Sequence, residues 1–265
     1  DMDPAVMEKP DAAELQLGKG ELEFHDVGFS YGGFPGEHTV SNLSFKVGKG
    51  ETLGIVGPPG SGKSTIAHLI PRFYDVTAGA ITIDGQDIRD ITLDSLRTHV
   101  GLVQQDTFLF TTEISNNVAY GEPWADSARI VLATDSAQLH DYIAGLPDDY
   151  ETMVGERGVS LSGGQRQRLS IARSVLLTPS IMVFDDSTAA VDAATEMRIR
   201  KALRDLARNR ATIIISHRLA SLMHADQIIF LDGGAIIERG SHIDLLGAGG
   251  VYANLYRQFI DASEN

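Results

Sequence analysis

The chain has 265 residues, of which 43% are hydrophobic and 22% charged, a mixture that is typical of a globular protein with a sizeable core. The formal net charge of −14 argues against a nucleic-acid-binding surface, which would be basic. Backbone N–H groups can nevertheless bind phosphate in an acidic protein. Cysteine is absent, which excludes disulfides and thiolate metal sites and suits a reducing compartment. No apolar run reaches the roughly 18 residues that a transmembrane helix needs.

The amino-terminal segment predicts a tail or linker. Residues 1–19 are polar and acidic, contain Pro4, Pro10 and Gly18, and show no sustained periodicity. They lack the charged and then apolar pattern of a signal peptide. The sequence does not begin with Met, so we expect it to be a fragment of a longer protein.

The next part of the chain predicts strands separated by turns. Residues 21–31 and 43–57 alternate as strands do, and residues 79–88 predict a hairpin that turns at Asp84-Gly85. Residues 64–74 have helical spacing until Pro71, and residues 99–105 predict another strand.

The second half of the chain alternates between helices and apolar strands. A strong helix is predicted at 163–177, where Leu169, Ala172, Val175 and Leu176 share one face, and residues 180–185 predict a strand buried on both faces of a parallel sheet. The remaining predicted elements are helices within 113–147, a helix at about 193–208, a strand at 211–216, a short helix, and paired strands at 227–232 and 235–240. This alternation predicts an α/β fold.

A glycine-rich loop predicts a phosphate site. The sequence GPPGSGKST at 57–65 fits the pattern G-x-x-x-x-G-K-[ST], follows an apolar strand and opens a helix. We expect Lys63 to reach the β- and γ-phosphates and the Ser64 hydroxyl to bind Mg²⁺. The alternative is a glycine-rich turn that contains a lysine, and the flanking strand and helix argue against it. The predicted phosphate-binding residues are Gly57, Pro58, Pro59, Gly60, Ser61, Gly62, Lys63, Ser64 and Thr65.

Two adjacent aspartates end the apolar strand that follows the long helix. A phosphate loop needs a metal partner, so Asp185 is predicted to hold Mg²⁺ through its water shell. Side chains alternate along a strand, so Asp186 would point elsewhere and could address an attacking water as a catalytic base. The alternative is a pair of solvated turn acids before Ser187.

These motifs resemble those of the nucleotide-binding domains of exporter-type ABC transporters. The sequence LSGGQRQR at 161–168 matches the ABC signature, and the likeness runs from about Glu21 to Gln258. It also includes GFSY ending at Tyr31, GLVQQD with Gln105, AAVD with Asp192, IIISHRLA with His217, VGERG at 154–158 and GVYANLYRQ at 250–258. The last of these resembles the carboxyl-terminal helix of the family.

The resemblance implies a role for each of these positions. Tyr31 would stack on adenine, an interaction worth about 1–3 kcal/mol, and His217 would bond the γ-phosphate. Gln105 would be a catalytic residue and a ligand to Mg²⁺ or water, and Asp192 would lie in the D-loop. Taken alone, the tyrosine could be a core or surface residue, the histidine structural and the glutamine a polar strand end.

A second anion site is predicted at the start of the long helix, where N–H groups and a hydroxyl meet. Its residues are Ser162, Gly163, Gly164 and Gln165. The resemblance implies that two domains pack head to tail around two ATP molecules. Each ATP would then lie between one phosphate loop and the signature of the other domain, and the two domains could be identical or unlike.

The fold that the resemblance implies has three parts. They are a P-loop (RecA-like) core, an antiparallel β subdomain from about the first ninety residues, and a helical subdomain of about residues 106–175 that bears the signature. The nucleotide-binding domain would span 20–260, between a linker at 1–19 and a carboxyl-terminal tail at 261–265.

The resemblance also implies partners and a location. The expected partners are a second nucleotide-binding domain and a helical transmembrane domain in the same polypeptide, with no nucleic acid. The expected location is the cytoplasmic face of a membrane, taken to be a bacterial inner or plasma membrane. Gln105 and the loop at Glu156 are the expected points of transmission to the membrane domain.

One residue departs from the family pattern, because hydrolytic sites of this family usually carry Glu directly after the metal aspartate. Asp186 is one methylene shorter, which withdraws the carboxylate by about 1.5 Å. A misplacement of about 1 Å can cost on the order of a hundredfold in rate. The hypothesis is therefore one half of an asymmetric exporter, with a weakened hydrolytic site, and the alternative is a symmetric homodimer.

Two other classes of function compete with an exporter ATPase: a regulatory module, and a soluble ABC ATPase of DNA repair or translation. A non-hydrolysing, ATP-binding regulatory module is the alternative that Asp186 motivates. A soluble ABC ATPase of DNA repair would separate the two phosphate-binding motifs by a coiled coil, whereas Lys63 and Ser162 are about a hundred residues apart without heptads between them. A translation factor of this family would carry two such domains in tandem, and this chain has one.

Overall fold

Two sheets organise the part of the chain that the structure describes. The structure is a computed structural model, and it describes residues 6–32, 38–104, 108–155, 159–185, 197, 204–205 and 207–263. One sheet is antiparallel and four-stranded, and the other is largely parallel and six-stranded. Helices pack around the second sheet, so the predicted α/β fold class is confirmed.

The antiparallel sheet comes from the first part of the chain and has the order β2-β1-β4-β5. Phe24 and Phe45 face each other across the first two strands, with their ring centroids 4.2 Å apart. The predicted hairpin is present, and both of its turn residues have positive φ, 50° at Asp84 and 78° at Gly85, as a type I′ turn requires. The strands are β1 (Leu22–Phe29), β2 (Val40–Val47), β4 (Ala78–Ile83) and β5 (Gln86–Asp87).

The larger sheet has the order β10-β9-β3-β8-β7-β6, in which only β10 runs antiparallel to its neighbour. Every residue of β7 is buried, as expected of a strand covered on both faces. The carboxyl ends of β3, β7 and β8 meet at one edge of this sheet, which is where α/β folds bind ligands. The strands are β3 (Thr52–Val56), β6 (Val100–Val103), β7 (Ile181–Asp185), β8 (Ala211–Ile215), β9 (Gln227–Asp232) and β10 (Ala235–Gly240).

The described helices divide between the two faces of the larger sheet and a helical cluster. The helix α6 packs against α3, α4 and β6 and buries Leu169, Ile171 and Ala172 in a hydrophobic cluster separate from that of the antiparallel sheet. The helices are α1 (Lys63–Leu69), α2 (Leu93–His99), α3 (Ile114–Val118), α4 (Ser127–Ser136), α5 (His140–Ala144), α6 (Gly163–Leu176), α7 (Leu219–Leu222), α8 (His242–Ala248) and α9 (Val251–Ser263). Short 3₁₀ turns lie at Ile88–Asp90, Ala119–Gly121 and Asp149–Glu151.

Two described helices have no counterpart among the predicted elements. The helix α2 buries only Leu96, so it has no apolar stripe that a periodicity could reveal. The helix α8 has a sequence signal that was missed, because Ser241 and Asp244 form a capping box at its start. Most of the helix predicted at about 193–208 lies outside the described residues. Among the helices that the structure describes, none has the length and apolar character needed to cross a membrane.

The amino-terminal segment is packed against the antiparallel sheet. Residues 6–19 form no helix, and Ala13 makes only an isolated bridge to Ile91. Leu15 is nevertheless buried, and its N–H donates to the hydroxyl of Ser95 at 2.9 Å. The prediction of a tail or linker did not include these contacts.

Candidate functional site

A cavity of about 320 Å³ opens at the carboxyl edge of the parallel strands. The structure brings together there three features that lie far apart in the sequence: the phosphate loop, the first aspartate of the pair and the histidine after β8. The residues that line the cavity are Thr39, Pro59, Gly60, Gly62, Lys63, Ser64, Thr65, Asp185, Ile215 and His217.

The phosphate loop can take its shape only with glycine at two positions. A Cβ on Gly57 would lie 2.0 Å from the main-chain oxygen of Leu231. Gly62 has a φ of 98°, and a Cβ there would lie 2.5 Å from Val40 Cγ1. Gly62 is also the N-cap of α1, so no side chain caps this helix. A phosphate group is the kind of ligand that such a helix start accepts.

Lys63 is held inside the phosphate loop at the cavity wall. Its side chain is buried, and Nζ donates to the main-chain oxygens of Gly57 at 3.0 Å and Pro58 at 2.8 Å. The Ser61 hydroxyl lies 3.3 Å from the same nitrogen. The loop therefore keeps a buried ammonium group next to the space where phosphate oxygens would enter.

Asp185 ends β7 and is the buried carboxylate of the cavity, with 7% of its surface exposed. Ser64, whose hydroxyl was predicted to bind Mg²⁺, lines the same cavity and is exposed. Oxygen ligands of this kind suit Mg²⁺, which usually binds one or two carboxylates together with substrate phosphates. The described residues hold no cluster of three or more His, Asp or Glu side chains that could bind a metal. The residues present therefore fit a magnesium ion whose other ligands are phosphate oxygens of a nucleotide.

His217 lies two residues beyond the end of β8 and is exposed at the cavity. The residue before it, Ser216, is buried, and its hydroxyl accepts a 3.0 Å hydrogen bond from the N–H of Arg218. His217 and Asp185 thus line the same cavity.

Tyr31 lies beside the start of α1 with about half of its surface, 51%, exposed. Its hydroxyl donates to Thr65 Oγ1 at 3.3 Å. Phe29 and Tyr74 meet the tyrosine ring edge-on, with centroid distances of 4.8 Å and 5.1 Å. The ring is therefore supported by two aromatic neighbours and tied to the phosphate loop.

The signature residues lie elsewhere on the chain. Ser162 is the N-cap of α6 and forms a capping box with Gln165, with hydrogen bonds of 3.3 Å and 2.7 Å. None of residues 162–165 is among those that line the cavity. Arg168, buried one turn further along α6, donates to the main-chain oxygen of Gln138 at 2.6 Å and fixes the helix to its neighbours.

Several predicted site residues lie outside the described residues, and some contributors to the site were not predicted. Gln105, Asp186 and Asp192 lie outside the described residues, as does Glu156. Thr39 lines the cavity and Tyr74 supports Tyr31, although neither belongs to a recognisable motif. Thr39 reaches the cavity because it directly precedes β2, and nothing in its local sequence signals this.

The comparison with protein families decides the identity of the chain. The family model described as ABC transporter matches residues 40–189. The chain belongs to the ABC transporter family. The predicted family is therefore confirmed.

This ABC transporter domain is similar over most of its length to parts of longer relatives. It is 47% identical over 252 residues to ATP-binding cassette sub-family B member 6 of Mus musculus, an alignment that covers 95% of this chain and 30% of the relative. It is 45% identical over 256 residues to the ATP-dependent lipid A-core flippase of Desulfotalea psychrophila, covering 97% of this chain and 44% of the relative. The chain thus spans less than half the length of these relatives.

A solved structure supports the same assignment for this ABC transporter domain. The structure of a bacterial Atm1-family ABC exporter with ATP bound matches with a TM-score of 0.89 and 44% sequence identity. The match covers 96% of this chain and 44% of that chain. The fold is therefore that of an exporter's ATP-binding domain.

Proposed function

We propose that this chain is the motor domain of an ABC exporter, which binds and hydrolyses ATP and drives a substrate across a membrane. The observation that carries the proposal is the cavity that gathers Lys63, Ser64, Asp185 and His217 at the carboxyl edge of the sheet. A lysine ammonium group, a serine hydroxyl and a carboxylate that suits Mg²⁺ are groups that P-loop enzymes place around a triphosphate, and the imidazole adds a polar group that could bond the γ-phosphate.

Each group in the cavity has a part in that chemistry. The phosphate loop and Lys63 cradle the β- and γ-phosphates, and Tyr31 carries the adenine ring. Ser64 and Asp185, together with Gln105, would hold Mg²⁺, which neutralises charge on the phosphate oxygens. His217 bonds the γ-phosphate, and Asp186 orients the attacking water.

The position of the signature supports a dimer. Ser162 caps the first turn of α6, and this predicted anion site does not line the cavity of the same chain. Two domains packed head to tail would let each signature complete the cavity of the other, and such a contact suits two-fold symmetry. The partner is either a second copy or an unlike domain, and the Asp186 departure favours the unlike one.

A membrane domain is the second proposed partner. We call Phe108, Phe110 and Tyr120 the aromatic surface, in which Phe108 is 70% and Tyr120 58% exposed. The rings of Phe110 and Tyr120 stack at 4.3 Å. This surface follows Gln105 closely in the sequence, and the relatives are more than twice as long as this chain. The aromatic surface is therefore the proposed contact with a membrane domain in the same polypeptide. The proposed location of this domain is the cytoplasmic face of a membrane.

The first test is binding and hydrolysis of MgATP by the chain, with Lys63→Ala compared with Lys49→Ala. Lys49 is an exposed lysine in the turn before β3, so it controls for loss of a positive charge. We expect Lys63→Ala to abolish turnover and Lys49→Ala to preserve it. Equal activity in both variants would contradict the proposal.

The same measurement separates the second candidate function, a regulatory module that binds ATP without hydrolysing it. That candidate is favoured by Asp186, whose carboxylate is shorter than the usual glutamate. Tight binding of MgATP with no turnover above the Lys63→Ala background would support the regulatory module. Sedimentation with and without MgATP then tests for the dimer, which we expect only with nucleotide.

A further inference from the structure

The amino-terminal segment is attached to the turn after the phosphate-loop helix as well as to the antiparallel sheet. We call residues 6–21 the entry strap. The strap runs along the β4–β5 hairpin, where Gln16 and Gln86 exchange two hydrogen bonds of 3.0 Å and 2.7 Å. It continues past α2, whose first N–H, on Leu93, donates to the carboxylate of Glu8 at 2.5 Å. Lys9 also pairs with Asp90.

Asp84 is the anchor at one end of the strap. Its carboxylate accepts hydrogen bonds from four consecutive N–H groups of the strap, with N···O distances between 2.7 and 3.1 Å. A carboxylate with several N–H donors makes strong, charge-assisted hydrogen bonds. The hairpin turn thus holds a stretch of main chain that has no secondary structure of its own. The donors are Gly18, Lys19, Gly20 and Glu21.

Arg72 is the anchor at the other end of the strap. Its side chain is 2% exposed, and Nη2 donates to the main-chain oxygen of Met7 at 3.1 Å. The same guanidinium pairs with Asp75, with Nε 2.6 Å from Oδ1. A buried arginine that lost the strap carbonyl would keep an unsatisfied donor, which is costly in the protein interior.

The Arg72 turn directly follows α1. Arg72 has a φ of 54°, which is uncommon for a non-glycine residue, and its N–H donates to Leu69 of α1 at 3.1 Å. Arg97 donates to the main-chain oxygens of both Pro71 and Arg72 at 3.2 Å. Such a conformation persists only where neighbours hold it in place. The strap is one of those neighbours.

The helix α1 joins this turn to the nucleotide cavity. It has seven residues and is therefore about 10 Å long, with Lys63 at one end and the Arg72 turn just beyond the other. We propose that docking of the entry strap and nucleotide binding at the phosphate loop are linked through α1. A docked strap fixes the Arg72 turn and thereby the position of the carboxyl-terminal end of α1. A bound nucleotide fixes the same helix at its amino-terminal end. Linkage requires that each event favours the other by the same factor.

The first test removes the Asp84 anchor without touching the cavity. Asp84→Gly keeps the turn, since glycine accepts its positive φ, and deletes the carboxylate. Asp26→Gly is the matched control, because Asp26 also has positive φ and is exposed but bonds Ser44 instead of the strap. We expect Asp84→Gly to raise hydrogen exchange at amides 18–21 and to weaken MgATP binding about fivefold or more, with no change in Asp26→Gly.

The reciprocal test needs no change in the strap. Saturating MgATP should slow hydrogen exchange across residues 6–21 in the wild-type chain, and Lys63→Ala should remove that effect. Faster exchange in Asp84→Gly with an unaltered ATP dissociation constant would overturn the linkage. Hydrogen exchange in the strap that does not change when MgATP binds would also overturn the linkage. The inference rests on nucleotide binding at the phosphate loop, so a wild-type chain that does not bind MgATP would refute the proposed function as well.

Discussion

Arg173 of α6 donates hydrogen bonds to both oxygens of Asn117, from Nε to the main-chain oxygen and from Nη2 to Oδ1, each at 3.0 Å. Asn117 is completely buried, and its amide also exchanges two 3.0 Å hydrogen bonds with the main chain of Phe110. Arg173 Nη1 reaches the main-chain oxygen of Phe108 at 3.1 Å. One pair of residues therefore joins the signature helix to the aromatic surface.

Removing the Asn117 amide should destabilise the domain. Asn117→Ala leaves buried groups of Phe110 and Arg173 without partners, so we expect the free energy of unfolding to fall by about 2–4 kcal/mol. Asn116→Ala is the matched control, because the neighbouring asparagine is exposed and should change stability by less than about 0.5 kcal/mol. Urea denaturation of both variants measures the difference. Equal midpoints would show that this pair does not hold the helix in place.

The Tyr31 ring should contribute to binding of the base and not of the phosphates. Tyr31→Ala should raise the dissociation constant of MgATP about tenfold, whereas Tyr31→Phe should keep most of the affinity because stacking needs only the ring. Inorganic tripolyphosphate, which has no base, should bind all three proteins equally. A parallel loss of tripolyphosphate binding in Tyr31→Ala would mean that the tyrosine supports the phosphate loop through Thr65 instead.

Ser162 allows helix capping to be separated from anion binding. Asparagine and aspartate are both good N-caps, so Ser162→Asn and Ser162→Asp should unfold at similar denaturant concentrations. Aspartate adds a negative charge where a phosphate of the partner's nucleotide is proposed to lie, so Ser162→Asp should abolish nucleotide-dependent dimerisation. Ser162→Asn should retain part of it. Sedimentation with MgATP provides the measurement, and identical dimerisation of the two variants would contradict the head-to-tail arrangement.

Features of the fold that depend on local sequence could be predicted. The hairpin at Asp84-Gly85 follows from two residues that tolerate positive φ, and β7 follows from an unbroken apolar run. The helix α2 could not be predicted in this way, since Leu96 is its only buried residue. Burial of a single side chain leaves no periodic pattern to detect.

Features of the site that depend on distant contacts could not be predicted from local patterns. The strap bonds to Asp84 across more than sixty residues of sequence, and it does so through main-chain N–H groups that have no side-chain signature. Tyr74 supports Tyr31 through ring packing that no motif records. The motifs thus predicted the groups that would meet a nucleotide, and the supporting contacts required the structure.

Acid should release the entry strap before it unfolds the domain. Partial burial raises the pKa of the Asp84 carboxyl, but the N–H donors of the strap outweigh this effect and hold the pKa below its ordinary value of 3.8. A lowered folded-state pKa stabilises the docked strap above the ordinary value, and that stability is lost as the pH falls through the folded-state pKa. Hydrogen exchange at amides 18–21, corrected for intrinsic rates, should therefore rise below about pH 4. Asp84→Asn should show no such rise.

Asp186 should limit the rate of hydrolysis. Its carboxylate is one methylene shorter than that of glutamate, so we expect Asp186→Glu to raise steady-state turnover about tenfold or more in the complete transporter. Asp186→Asn should lower turnover below that of the wild type, because an amide cannot accept the proton of the attacking water. Asp141→Glu, at an exposed aspartate of α5, is the matched control and should leave turnover unchanged.

The alternative outcome for Asp186 has a different physical meaning. If Asp186→Glu leaves turnover unchanged or lowers it, and Asp186→Asn abolishes it, the aspartate already lies within hydrogen-bonding distance of the water and acts as the base. The main reason to expect an unlike partner would then be lost, and a symmetric homodimer would become the better description. If the glutamate raises turnover, the shorter carboxylate marks a weakened site, and the partner domain should carry glutamate at this position.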